Sequence, residues 1–282
     1  MQVRDVALNV ITAGAAQPTT PSLLLLHGFT GSAETWDDLM RSLAGNAADD
    51  EQGDGVHCVA VDLLGHGHSD APPESQRYTM HQATDDLTAL LDLLGLPRVH
   101  LLGYSLGGRV ALHVASMRPE RVASLILESA SPGLPTPGER LARTHADEML
   151  ARSIERDGVA AFVERWEAIP LFASQARLPQ EQRAALRAQR LHNSVLGLAN
   201  SLRGMGSGVQ ESLWDQLPRL QVRALLMAGQ DDAKFAEIVR QMETRLPDAR
   251  TVIVADAGHA VHLEQPAVFE RLVREHLAVA AT

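Results

Sequence analysis

The sequence predicts an α/β fold: a mostly parallel, doubly wound sheet with an inserted helical cap. Three observations carry that reading. Short apolar runs alternate with helix-length segments over most of the 282 residues, and β–α alternation favours a parallel sheet. Several runs, such as Leu23-Leu24-Leu25-Leu26, are continuously apolar, as strands covered on both faces require. The alternation stops between about Leu134 and Leu213 and then resumes, which marks an insertion rather than a separate domain.

The elements follow in chain order. Val3–Ile11 offers an edge strand, and Ser22–His27 is the first inner strand, followed by a helix over Ser32–Leu43. His57–Asp62 and Arg98–Tyr104 are the next strands, each leading into a helix, Thr79–Leu94 and Leu106–Met117. Val122–Glu128 is the fourth inner strand. The stiff connection Pro132-Gly133-Leu134-Pro135-Thr136-Pro137-Gly138 then opens the insertion. Its clearest helices are Arg140–Arg156, Val159–Ile169 and Pro179–Leu191, punctuated by Pro170, Pro179 and a glycine-rich turn at Gly204–Gly208. Strands resume at Val222–Ala228 and Arg250–Ala255, with helices Phe235–Leu246 and Pro266–Val279. The expected organisation is a core of residues 1–133 and 214–282 carrying a cap of residues 134–213.

Composition excludes several classes of function. A formal charge of −10 and a pI near 5.6 argue against nucleic-acid or anionic-membrane surfaces. No apolar run reaches membrane-spanning length, and the start of the sequence lacks the apolar stretch of a signal peptide. The one cysteine, Cys58, lies in an apolar run and reads as a small core residue in a reducing, cytoplasmic setting. A monomer or weak homo-oligomer is expected. Lys234 is the only lysine; the remaining positive charge is arginine, the side chain suited to bidentate carboxylate contacts.

The chemistry centres on Gly103-Tyr104-Ser105-Leu106-Gly107, a Gly-x-Ser-x-Gly run between a strand and a helix. That context is a nucleophile elbow, which exposes a serine hydroxyl at a helix N-terminus. Ser105 needs a base, and the base needs an orienting acid. His259 follows the last candidate strand and leads into the final helix, so it sits at the same sheet edge as Ser105. The acid is Asp231 or Asp232, just past a strand; Glu128 is a third candidate, and spacing alone does not separate the first two, though Asp232 is favoured. Two backbone N–H groups, of Leu106 and Phe29, are expected to form an oxyanion hole. His27, His66 and His68 read as loop-shaping residues, and His262 as structural, because no carboxylate or cysteine cluster accompanies them to hold a metal. Arg109 falls one helical turn after Ser105, where a cation can hold a substrate carboxylate. Arg140, Arg143, Arg187, Arg190 and Arg203 add further charge in the cap region.

Leu26-His27-Gly28-Phe29-Thr30-Gly31, Gly65-His66-Gly67-His68-Ser69 and the elbow together resemble the α/β-hydrolase superfamily across the whole chain. Leu127–Leu134, Glu139–Arg143, Ala199–Gly208, Asp232–Phe235 and Gly258–His262 narrow the resemblance. They are similar to the 2-succinyl-6-hydroxy-2,4-cyclohexadiene-1-carboxylate synthases of menaquinone biosynthesis, with Ser207 standing where threonine is expected. The resemblance implies a pyruvate elimination from a small polycarboxylate, without cofactor or metal. It assigns Ser105, Asp232 and His259 as the triad and matches Tyr104, Arg109, Arg143, Trp166 and Arg190 to substrate binding or turnover. The competing expectation is a serine hydrolase, a carboxylesterase or carbon–carbon bond hydrolase acting on an anionic substrate.

Overall fold

The computed structural model describes residues 1–17, 20–45 and 55–280. Leu23–Leu26 run through the middle of a seven-stranded sheet. Its strands are β3 (Val10–Ala13), β4 (Ser22–Leu26), β5 (His57–Val61), β6 (Val99–Tyr104), β7 (Val122–Glu128), β8 (Arg223–Gly229) and β9 (Ala249–Val254). They are ordered β3-β5-β4-β6-β7-β8-β9. Every neighbouring pair is parallel except β3 with β5. The family-independent expectation of one edge strand over Val3–Ile11 is corrected here. That stretch splits, because Arg4 turns at φ 54° and folds β1 (Gln2–Val3) back on β2 (Val6–Ala7). Only Val10 and Ile11 reach the sheet, at the start of β3.

Successive strand residues point to opposite faces, and the two cores follow that parity. Leu23, Leu25, Cys58, Ala60, Leu102 and Ile126 pack with Trp36, Met40 and Phe269 under α1 (Asp37–Ala44) and α9 (Pro266–Ala280). Leu24, Leu26, Val59, Val61, Leu101 and Leu125 pack on the other face. There they meet α2 (Met80–Leu93), α3 (Leu106–Met117) and α7 (Ala233–Glu243). The first helix begins as a tighter 3₁₀ turn at Ala33–Trp36, because the Asp62 carboxylate captures the Ala33 N–H at 2.5 Å and pins the chain entry to β5.

The insertion after β7 is helical. Thr136 and Glu139 form a capping box, with Pro137 in the first turn, and launch α4 (Pro137–Glu167). The two helices expected on either side of residue 157 are halves of this element, kinked at Gly158 (φ 80°). A 3₁₀ segment (Pro170–Arg177), α5 (Gln180–Leu191) and α6 (Val195–Met205) complete the cap. Ala151, Ile154, Phe162, Val163, Leu198 and Leu202 give it a core of its own, joined to the main domain by Phe29. The sequence pattern does not announce α6, whose glycines lower its helix signal. They serve contact instead: a Cβ on Gly197 would overlap the Gly65 carbonyl in the loop after β5.

Two outcomes follow from this packing. Gly197→Ala should weaken the seat of α6 on the core, with a cost of about 1–3 kcal/mol typical of overpacking, read from denaturant unfolding; an unchanged midpoint would contradict the contact. Burial also holds His66 down to about 3 and His100, His113 and His276 to about 4. These rings stay neutral in the fold but take up protons below their ordinary value of 6.5 once unfolded. The unfolded state therefore binds more protons in the window from pH 6.5 to 4, so stability is retained above it and lost as pH falls. The loss is up to about 1.4 kcal/mol per ring per pH unit. Unfolding midpoints compared at pH 7 and pH 4.5 check this.

Candidate active site

The turn from β6 into α3 is made by Gly103 and Gly107, where a Cβ would overlap main-chain atoms of Gly107 and Leu26 respectively. Between them Ser105 is forced to φ 50°, ψ −104°, a conformation costing about 1–3 kcal/mol that persists because the surroundings over-determine it. Its N–H donates to the Glu128 carbonyl at 2.8 Å on the neighbouring strand. Its side chain does not cap α3, which leaves Oγ directed at His259.

His259 and Asp232 come from the ends of β9 and β8, so three parallel strands deliver the three groups to one sheet edge. Ser105 Oγ lies 3.1 Å from His259 Nε2, and His259 Nδ1 lies 2.6 Å from Asp232 Oδ2. Asp232 Oδ1 accepts the Phe235 N–H at 3.2 Å and so caps α7. With Nδ1–H donated to the carboxylate, Nε2 is left to accept the serine proton. The imidazole is buried, with Phe235, Tyr104 and Phe172 rings around it. Asp231 is instead exposed and bonded to Arg177 at 2.7 Å. Glu128 is committed to His262.

Gly28 sits hard against Ser105: a Cβ there would fall 2.6 Å from the Tyr104 ring and 3.6 Å from Ser105 Cβ. His27 fixes this loop by donating from Nδ1 to the Gly28 carbonyl at 2.8 Å and accepting the Leu63 N–H at Nε2, 2.9 Å. Burial holds its pKa below the ordinary imidazole value. Among the described residues neither Phe29 N–H nor Leu106 N–H has a hydrogen-bond partner within the protein. His66 packs against Phe29, and His68 lies against His192 with the two rings tilted. No group of three metal-ligating side chains occurs among the described residues.

A cavity of about 260 Å³ is walled by Phe29, Tyr104, Phe172, Gln175, Arg190 and His262 among others; Ser105, Asp232 and His259 are not part of its lining, and Tyr104 and Phe172, whose rings pack on His259, separate it from them. Burial, with the Glu128 charge second, holds the Tyr104 phenol well above its ordinary range. Arg190 is only 6% exposed, lies 5.2 Å over the Phe172 ring and donates to Glu167 and Gln175. The Trp166 indole packs edge-on to Phe29, and its Nε1–H is buried without a partner. Arg109 and Arg143 do not line that cavity. Arg109 reaches the cap and donates to the Met205 carbonyl at 2.6 Å and Gln210 at 2.8 Å, with no carboxylate within ion-pair distance. Its burial lowers its pKa to about 10, so it is cationic at neutral pH. Arg143 pairs with Asp147 at 2.7 Å. Sequence reasoning missed Phe172 and Gln175, which belong to a 3₁₀ segment without helical periodicity. Asp62, which holds the loops on either side through Ala33, His68 and Asn9, was also missed.

This sheet, elbow and cap define an α/β hydrolase, and a family model described as alpha/beta hydrolase fold matches residues 21–266. Within that class the chain belongs to the 2-succinyl-6-hydroxy-2,4-cyclohexadiene-1-carboxylate synthase family. It is 45% identical over 256 residues to a Bacillus subtilis (strain 168) protein that carries this name provisionally, covering 91% of the chain and 90% of the relative. The synthase of Pectobacterium atrosepticum is 31% identical over 95% of the chain and 98% of its own length. Among solved structures, MenH from S. aureus superposes with a TM-score of 0.87 at 30% identity, covering 98% of this chain and 99% of that one. A thermophilic esterase from Thermogutta terrifontis, in its malate-bound form, gives 0.83 at 28% identity, covering 98% and 95%.

The geometry separates the two neighbouring aspartates. Asp232→Asn should slow phosphonate labelling of Ser105 by about 10⁴, the penalty for losing the orienting carboxylate. Asp231→Asn should slow it less than about threefold, as expected for an exposed ion pair. Equal losses in the two variants would contradict the assignment.

Proposed function

We propose that this chain is a carbon–oxygen lyase. It eliminates pyruvate from 2-succinyl-5-enolpyruvyl-6-hydroxy-3-cyclohexene-1-carboxylate to give 2-succinyl-6-hydroxy-2,4-cyclohexadiene-1-carboxylate in menaquinone biosynthesis. The observation that carries the reading is a hydrogen-bonded Ser105–His259–Asp232 line beneath a helical cap, with the half-buried Arg109 of α3 reaching toward that cap and having no carboxylate within ion-pair distance. It is supported by membership of the synthase family.

Ser105 Oγ takes the ring proton α to the succinyl ketone while its own proton passes to His259 Nε2, and Asp232 stabilises the resulting imidazolium. Negative charge develops on the ketone oxygen, where the Phe29 and Leu106 N–H groups receive it; one such donor is worth about 10²–10³ in rate. The electron pair then moves through the ring double bond, the ring carbon–oxygen bond breaks, and the enolpyruvyl oxygen leaves. The leaving enolate takes up one proton to become pyruvate, and the His259 imidazolium gives up the one it gained, which closes the proton balance. No covalent enzyme intermediate is formed, and no step draws on a metal or cofactor. Arg190 and Tyr104, which line the cavity, meet a substrate carboxylate and its ring; Arg109, Arg143 and Trp166 lie outside that lining, and their substrate contacts rest on the family resemblance. The enzyme works in the cytoplasm as a monomer or weak homo-oligomer, with its cap at residues 134–213.

A hydrolytic reading, ester or carbon–carbon bond cleavage through an acyl-enzyme, uses the same triad and is favoured by the likeness to the esterase fold. Coupled pyruvate release from the enolpyruvyl substrate, measured beside p-nitrophenyl ester hydrolysis, separates the two. Pyruvate release abolished by Ser105→Ala, with slow ester turnover in the parent, is the expected result. Fast ester hydrolysis without pyruvate release would reverse it. Arg109→Ala should raise KM about 10–100-fold, the loss of a charge-assisted hydrogen bond of roughly 1.5–3 kcal/mol.

A further inference from the structure

Glu128 is fully buried at the end of β7, yet it is not the triad acid. Its main chain and side chain act on opposite partners in the reaction. The Glu128 carbonyl accepts the Ser105 N–H at 2.8 Å and sits in register beside Tyr104, so it holds the strained residue that carries the nucleophile. Its Oε1 accepts the His262 main-chain N–H at 3.0 Å, and its two oxygens lie 2.9 and 2.8 Å from His262 Nδ1. His262 stands three residues beyond His259, at the start of the short helix α8 (Val261–Glu264). Its ring is wedged between Tyr104 (4.7 Å) and Trp36 (4.9 Å), with Phe269 behind (5.9 Å).

A solvent-exposed contact would make little difference to such a loop, but the Glu128 and His262 side chains are desolvated on both sides. Two N–H groups of one residue converge on one carboxylate, which fixes both the ring and the backbone of the loop that presents the base. We propose that Glu128 and His262 form a second buried dyad, a positioning pair that sets the Ser105–His259 separation from both sides and holds Tyr104 against the substrate cavity. The inference rests on Ser105 and His259 as the reacting pair, not on which substrate they act upon.

Three consequences distinguish this role from simple support of the fold. First, the rate at which a fluorophosphonate labels Ser105 reports the nucleophile–base geometry without the natural substrate, and Glu128→Ala should lower it tenfold or more. Second, kcat should fall in parallel and by more than KM rises, because Arg190 is untouched and only the Tyr104 wall of the cavity is loosened. Third, Glu128→Gln should recover most of the labelling rate lost in Glu128→Ala, since a single amide oxygen can accept both N–H groups that now meet at Oε1. His262→Asn, which keeps a donor near the Nδ1 position but removes the ring, decides the matter if the alanine variant does not fold: a tenfold slower labelling supports the dyad. A folded Glu128→Ala or His262→Asn variant that labels at the parent rate overturns it. So does a labelling loss in Glu128→Ala that Glu128→Gln leaves unrepaired. Pyruvate release is scored separately, so a failure of the lyase reading leaves the labelling result intact.

Discussion

Between Gly103 and Gly107 the chain reverses so closely that a side-chain carbon at either position would overlap neighbouring backbone atoms. That contact couples β6, α3 and the end of β4, and it forces Ser105 into a backbone conformation it would not otherwise adopt. The rest of the site is arranged to hold this strained point. The Glu128 carbonyl fixes its amide from one side, the Gly28 loop lies against it from the other, and His27 ties that loop to β5 through Leu63. Strain of this kind survives only inside a well-packed core, which explains why the elbow sits at the centre of a seven-stranded sheet and not at its edge.

Much of this was legible in the amino-acid sequence because the signals are local. Continuous apolar runs mark the inner strands, and Gly-x-Ser-x-Gly between a strand and a helix marks the turn. The position of Ser105 and of His259 at strand ends is likewise a property of short segments. What stayed hidden depends on long-range geometry. Asp231 and Asp232 have the same neighbours in sequence, and only the fold turns one carboxylate inward to His259 while the other meets Arg177 from the cap. α6 was concealed because Gly197 and Gly204 serve close approach to the core rather than helix propensity. The edge-strand expectation over Val3–Ile11 failed for a similar reason: an early turn at Arg4 is a single backbone angle that apolar patterning does not encode.

The cap uses its arginines in two ways. Arg203 is bound to Glu148 and Glu155, and Arg187 to Glu167, so these charges bind helices to each other. Arg109, rising from the core helix into the same region, donates only to a carbonyl and an amide oxygen. A half-buried guanidinium that feels the Asp147 charge but has no carboxylate within ion-pair distance keeps capacity to hold an anion.

The lone cysteine has a separate consequence. Cys58 lies within β5, wholly buried between the paired strands, and burial pushes its thiol up to about 12. Thiolate-directed reagents therefore meet almost no reactive form while the sheet is closed. The molecule carries a built-in reporter of its own opening: under native conditions, the rate of thiol modification measures how often the central sheet unfolds, with no denaturant, no engineered label and no competing cysteine.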